Sequence, residues 1–179
     1  RDLIGGTASR DAYLCYLRNL HPVYECLEEA VAARGEQPRW RTLANPAVYR
    51  ACAIAADLAA LGGSAWRERW PIVAAGQRYR ARIQAAARER SGARLAAHAY
   101  TRYLGDLSGG RMLRKVVART LDLAPEDLRT YRFDGVSSLD RLKASYRQAF
   151  DAWADLDAEL LDETAAAFEL NIALAEEVE

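Results

Sequence analysis

Apolar and polar positions along this chain recur with the three-to-four-residue spacing of a helix, and helices are what they predict. Ser9 is a good N-cap for a helix reaching about Arg34. Tyr13, Tyr16, Leu17, Leu20, Tyr24, Leu27 and Val31 lie along one broad face of it. Pro22 interrupts that helix and should kink it or cost it a hydrogen bond. Gly35 ends it, and GEQPRWRTLANP reads as a loop. The pattern predicts further helices over about Ala47 to Leu61, stopped by Gly62-Gly63, and over about Gln77 to Arg90. Gly92 separates the latter from a long helix broken by glycines. After a turn at DLAPED, Ser138 is a candidate cap for a helix of about Leu139 to Leu156, and the last runs from about Glu159 to Val178. Only TYRFDG hints at a strand, and it is too short to build a sheet. The expected fold is all-α, one domain over residues 1–179, with no repeat and no linker.

The glycine-broken helix, Ala96 to Arg119, carries the most information. Its flanks are rich in helix formers, yet Gly105, Gly109 and Gly110 stand in the middle. Each interior glycine costs a helix about 0.5–1 kcal/mol relative to alanine. One explanation is close packing of a second helix on the G-x-x-x-G spacing, another is a left-handed cap at Gly109-Gly110. A third is a wall where main chain passes close to a flat or bulky ligand. Against the cap, RMLRKVVARTL resumes an apolar stripe at once, so a kink inside one element fits better than a stop. Arg102 and Asp106 are spaced i,i+4 and project from the glycine-bearing face.

Charge and composition narrow the classes without choosing among them. Lys+Arg 25 balances Asp+Glu 25, which argues against a nucleic-acid binder. No apolar run approaches the roughly 18–20 residues of a membrane span. Cys15, Cys26 and Cys52 lack a C-x-x-C pairing and read as reduced core thiols of a cytoplasmic protein. Lys143, Tyr146 and Arg147 fall at i, i+3 and i+4, so one helical face offers two cations and a phenol; by spacing alone a solvated surface explains this as well.

The ordered word AYTRYLGDLSGG resembles the distal heme helix of the heme oxygenase family. The likeness extends to ASRDAYLCYLRNLHPVYECLEEAV, which is similar to that family's second helix. AFELNIALAEEVE is similar to its last heme-lining helix, so essentially the whole chain is covered. The resemblance implies a single-domain helical fold with a glycine-kinked distal helix. It also implies oxidative cleavage of heme to biliverdin, carbon monoxide and ferrous iron, with heme as both substrate and cofactor, and O2. Electrons would come from a ferredoxin- or flavodoxin-type donor or its reductase, since no nucleotide or flavin motif is present. Arg111, Arg114, Lys115 and Arg119 form a basic segment suited to an acidic donor.

Residue by residue, the resemblance makes Asp106 the distal carboxylate that orders water beside dioxygen and delivers protons through it. Arg102 and Tyr24 join that network. Tyr100, Thr101 and Ser108 match positions close to heme, as do Gly105, Gly109 and Gly110. Lys143, Tyr146 and Arg147 match the propionate-binding segment, and Phe168 and Asn171 the last wall of the pocket. No metal ligand is assigned. The family's proximal histidine comes from a helix that would precede residue 1, and neither His21 nor His98 matches it. These residues are therefore expected to lack the proximal-histidine helix. Two other classes stay open, a non-catalytic heme or tetrapyrrole binder and a helical interaction module whose glycines serve packing.

Overall fold

Ser9 caps the first helix as its sequence predicts: its Oγ accepts the amide of Ala12 at 3.1 Å, and α1 (Arg10–Ala32) follows. The computed structural model describes residues 8–89, 92–151, 153 and 157–179, and among these every regular element is helical. α1 passes through Pro22 without ending. Its buried face, from Tyr13 through Tyr24 to Val31, is held on α2 (Ala51–Gly62) and α4 (Ala74–Arg88), so tertiary packing outweighs the one amide that proline removes.

Several helix starts depart from the sequence pattern by a few residues, some for local reasons and one for a tertiary one. The expected start at Ala47 is instead a 3₁₀ turn, Pro46–Val48, whose first amides are served by Asn45 Oδ1 at 3.0 Å from Ala47 N. α4 starts at Ala74, ahead of the expected Gln77. The Glu177 carboxylate reaches over from the end of the chain and accepts the amides of Ala74 and Ala75 at 2.9 and 2.8 Å. Such a cap is supplied by tertiary structure and leaves no local signal. The short α3 (Trp66–Arg69) has no apolar period of its own, and buried Trp66 fixes it. The candidate strand TYRFDG holds the 3₁₀ turn Arg129–Tyr131, and no strand occurs among the described residues. α7 (Leu139–Asp151) begins at the Ser138 cap, with Oγ accepting Arg141 N at 3.3 Å. The expected stretch to Leu156 and the end at Arg90 fall partly outside the described residues. α8 (Asp157–Glu177) closes the fold.

One element orders the rest. α5 (Ala93–Ala99), a π-helical turn (Tyr100–Leu104) and α6 (Gly105–Thr120) form one continuous helix, with Ala99, Tyr100, Leu104 and Gly105 all in right-handed helical backbone. The expected glycine kink is therefore displaced. The irregular turn lies just before Gly105, and the three glycines sit in regular α-helix. The Thr101 hydroxyl bonds the Ala97 carbonyl at 2.9 Å, entering the backbone ladder where it widens. α1, α4 and α8 surround this distal helix on one side, and α7 packs against the π turn and α6.

Candidate functional site

Three elements meet at the phenol of Tyr24, and a fourth, α8, joins through Arg102. The sequence puts Tyr24 on the buried face of α1, and Arg102 and Asp106 one helical turn apart across the π turn. In the fold, Tyr24 donates to Asp106 Oδ2 at 2.5 Å and accepts from Arg102 Nε and Nη2 at 3.0 and 2.7 Å. Arg102 Nη1 reaches Asn171 Oδ1 on α8 at 2.6 Å, and Tyr16 donates to that same oxygen at 3.2 Å. Arg102 Nη2 stays 3.7 Å from Asp106 Oδ1. The arginine thus spends its short bonds on neutral partners, and its approach to the carboxylate is looser.

Burial sets the electrostatics. It pushes the Asp106 carboxyl above its ordinary value, against the opposing pull of Arg102, the Tyr24 hydrogen bond and Arg50. It drives the Tyr24 phenol well above its ordinary value too, so Tyr24 remains a donor at working pH. Burial alone would depress Arg102. The partial negative charge of Tyr24 and the carboxylate of Asp106 override it and keep the guanidinium charged. A carboxyl held closer to neutrality, bonded to one neutral donor and shadowed by a cation, is a group able to take and return a proton.

The network lines a cavity of about 240 Å³, walled by Tyr13, Leu17, Leu20, Leu113 and Tyr131 besides the network residues. A more open groove of about 430 Å³ runs past Arg111, Phe133 and Asp134 and meets it at Asp106 and Tyr131. Asp106 therefore stands where the two spaces meet, both of them open to solvent.

The glycines resolve into two kinds. A Cβ built at Gly105 or Gly109 meets nothing within 4 Å, so neither glycine serves helix packing here. Their bare backbone faces open space on the helix that also carries Asp106, as a ligand wall requires. Gly110 is buried and turned the other way, toward Phe133 and Tyr131. It does not share the wall, because consecutive helical residues diverge by about 100°. Ser108 is exposed, and Thr101 is buried on the Ala97 carbonyl. Tyr100 packs edge-on to Phe150 of α7, with ring centroids 4.6 Å apart. Phe168 on α8 is 51% exposed, an apolar side chain left facing outward.

The three residues expected to form a clamp do not share one surface. Lys143 is partly exposed, 3.6 Å from Asp140, and Arg147 is exposed. Tyr146 is fully buried and donates to the Leu43 carbonyl at 3.0 Å. The i,i+3 and i,i+4 positions share a face only loosely, and packing rotates the phenol inward while the two cations stay in solvent. On α6, Arg111, Lys115 and Arg119 are exposed, whereas Arg114 Nε is tied to the Pro125 carbonyl at 2.6 Å.

Neither histidine lines the cavity. His21 packs edge-on to Trp66 and lies 3.2 Å from Glu25. His98 is buried between α5 and α8, with Nε2 on Glu163 at 2.8 Å. No group of three or more His, Cys, Asp or Glu side chains suited to a metal occurs among the described residues. The site residues that sequence reasoning did not single out are Tyr16, Tyr13 and Tyr131. Tyr16 is eight residues before Tyr24 on the same helical face, a signal present in the pattern. Tyr131, which lies 3.4 Å from the Tyr13 hydroxyl, comes from a 3₁₀ turn and carries none.

Comparison with known proteins agrees over the whole length. Residues 1–177 match the family model for heme oxygenase. The chain is 35% identical over 185 residues to heme oxygenase 1 of Homo sapiens, covering 100% of this chain and 64% of that protein. It is 33% identical over 180 residues to heme oxygenase 1 of Synechocystis sp., covering 97% of this chain and 73% of that protein. The solved complex of cyanobacterial Synechocystis heme oxygenase-1 with heme superposes with a TM-score of 0.90 at 32% identity, over 99% of this chain and 81% of that one. Heme oxygenase from Leptospira interrogans gives 0.89 at 30% identity, over 99% of this chain and 88% of that one. This chain spans less than two thirds of the length of the human relative.

Proposed function

The chain belongs to the heme oxygenase family, and from that premise we propose that residues 1–179 are one catalytic domain cleaving heme to biliverdin, carbon monoxide and ferrous iron. The reaction would use O2 and electrons from a ferredoxin- or flavodoxin-type donor or its reductase. The observation that carries this reading is the open backbone at Gly105 and Gly109 on the same continuous helix that supplies Arg102 and Asp106 to the Tyr24 network. A packing module has no need of either feature, because those glycines pack against nothing.

Heme supplies the iron at which dioxygen is activated, and the residues of the chain do the rest. The glycine wall admits a flat macrocycle against main chain. Lys143 and Arg147 on α7 offer cations to its carboxylates, a charge-assisted contact. Asp106 moves protons through water at its carboxylate oxygens, and Tyr24 fixes one of those oxygens by donating to it. Arg102, held on Asn171, keeps the local field positive without neutralising Asp106 outright. His21 and His98 both point away from the cavity, and neither is assigned to iron. Arg111, Lys115 and Arg119 are the exposed cations of α6 to which an acidic donor would be steered. Among the described residues no helix is long and apolar enough to cross a membrane, and Cys15, Cys26 and Cys52 are free thiols. The thiols support a reducing compartment, the cytoplasm.

Heme titration followed by turnover with a chemical or protein reductant tests the proposal. A shifted Soret band and the absorption of biliverdin are the expected results. Heme binding without biliverdin would favour a non-catalytic tetrapyrrole binder. No Soret shift at all would remove heme from the account.

A further inference from the structure

An ionic cluster that runs from a buried carboxylate and histidine out to two solvent-touching arginines is not used by the proposed chemistry. Glu163 on α8 is 2% exposed and accepts four hydrogen bonds, which fill the capacity of a carboxylate. Arg82 Nε and His98 Nε2 bond Oε1 at 2.8 Å each. Arg82 Nη2 and Arg94 Nε bond Oε2 at 2.6 and 2.8 Å. Arg94 is itself paired with Glu89. Three helices, α4, α5 and α8, are thereby knotted at one carboxylate. Buried ionic clusters of this kind are weak contributors to net stability, and their better-attested use is to fix register.

The cluster has a second rung above it. His98 and Arg102 are one turn apart on the distal helix, while Glu163 and Asn171 are two turns apart on α8. The distal helix and α8 are thus tied twice, by His98–Glu163 and by Arg102–Asn171. An axial slip of α8 by a single residue is about 1.5 Å, enough to break the Arg102–Asn171 bond. Losing Asn171 frees Arg102 Nη1 but leaves Nε and Nη2 on Tyr24, and the anionic partner then drawing the guanidinium is Asp106, whose Oδ1 is 3.7 Å from Nη2.

We propose that Glu163 is a positioning residue for the distal network: by anchoring His98 it sets the register of α8 and so holds Arg102 on Asn171 and off Asp106. Loss of the anchor lets a direct Arg102–Asp106 ion pair close, and the carboxyl then gives up its proton more readily. The other titratable groups acting on or lying near Asp106 are Tyr24 from α1, Tyr79 from α4, Arg50 ahead of α2, Tyr131 from the 3₁₀ turn, Arg111 and Arg114 on α6, Arg132, Asp134 and Asp140 along the groove, and Glu179 past the end of α8 on the cavity wall. The hydrogen-bonded link from α8 into this set runs through Asn171 to Arg102. The inference rests on Asp106 being the proton-handling carboxyl of the proposed function, but its consequence is measurable without heme.

The experiment is a carboxyl ¹³C NMR titration of the heme-free chain with labelled aspartate, the Asp106 signal being identified by its loss in Asp106→Asn. The titration midpoint of Asp106 should fall by about one pH unit, a tenfold change in proton affinity, in Glu163→Gln. Asn171→Ala should produce the same fall, and the double variant should go no further, because both act on one arginine. Arg78→Ala, which severs an exposed α4–α8 ion pair instead, should leave the midpoint where it is. If Glu163→Gln does not fold, Arg94→Gln removes one of the four bonds and must shift the midpoint in the same direction. An unmoved midpoint in Asn171→Ala, or in a folded Glu163 or Arg94 variant, overturns the proposal. So does an equal shift in Arg78→Ala, which would mark general loosening. Because no heme is added, failure here leaves the heme titration standing, and failure of the heme titration leaves this result intact.

Discussion

Tyr24 and Asp106 show how a single hydroxyl can organise a site. One phenol oxygen accepts two bonds from a buried guanidinium and donates its proton to a buried carboxyl. Asp106→Ala removes the proton-handling group but leaves the glycine wall and the α7 cations untouched. Heme affinity should therefore stay within about a few-fold, while biliverdin yield falls by roughly 10²–10⁴, the usual scale of a lost general acid–base group. Product analysis by absorption and mass spectrometry checks this, and normal biliverdin yield from the variant would refute the role given to Asp106. Tyr24→Phe is a different injury. It strands Arg102 Nε and Nη2 in a buried place and should cost about 1–3 kcal/mol of stability by urea unfolding, whatever its effect on turnover.

At the scale of the element, the distal helix carries a conflict between its own stability and its use. Gly105 and Gly109 lie in regular α-helix with open space where a side chain would go, so nothing in the fold demands glycine there. Gly109→Ala should raise helix stability by about 0.5–1 kcal/mol, and the melting temperature by a few degrees, in the heme-free chain. The same methyl group occupies the wall, so heme affinity should drop at least several-fold. A variant that is stabilised and binds heme normally would show that the wall is not the heme surface. The sequence located this element well, since its flanking propensities and interrupted middle were plain. It misplaced the irregularity, because the widened turn depends on Thr101 reaching a carbonyl of the previous turn, a contact that spacing alone does not specify.

For the molecule as a whole, two carboxyls pull stability in opposite directions with pH. Burial works to raise Glu163, but hydrogen bonds from His98, Arg82 and Arg94 override it and leave the folded carboxyl far below its ordinary value of 4.5. A depressed folded value means stability that is present above the unfolded pKa and lost as pH falls through the folded one. The chain should therefore lose unfolding free energy steadily below about pH 4.5. Asp106 has the opposite sign: its folded value is raised above 3.8, so ionising it costs stability as pH rises through that range. Urea unfolding between pH 3 and 7 should show the acid-side slope diminished in Glu163→Gln. That variant should also be about 1–3 kcal/mol weaker at neutral pH, since buried His98 and the partly exposed Arg82 and Arg94 lose a charged partner. An unchanged acid slope would mean that Glu163 does not carry it.

The sequence by itself determined the helical class and the start of α1 at its Ser9 cap, and its resemblance singled out Asp106, Arg102, Tyr24 and Asn171, which the fold joins in one hydrogen-bonded network. Those readings rest on short-range rules, periodicity and capping, or on one unusually specific word. Only tertiary structure decided which neighbours on a helix face are used. It turned Tyr146 onto Leu43 and left Lys143 and Arg147 outside, and it separated Gly110 from Gly105 and Gly109. It added Tyr16 and Tyr131, started α4 with a carboxylate from Glu177 about a hundred residues away, and buried Glu163 among two arginines and a histidine. The physical reason is common to all of these. Helical spacing confines a side chain to an arc of the surface, and packing between helices selects the direction within that arc.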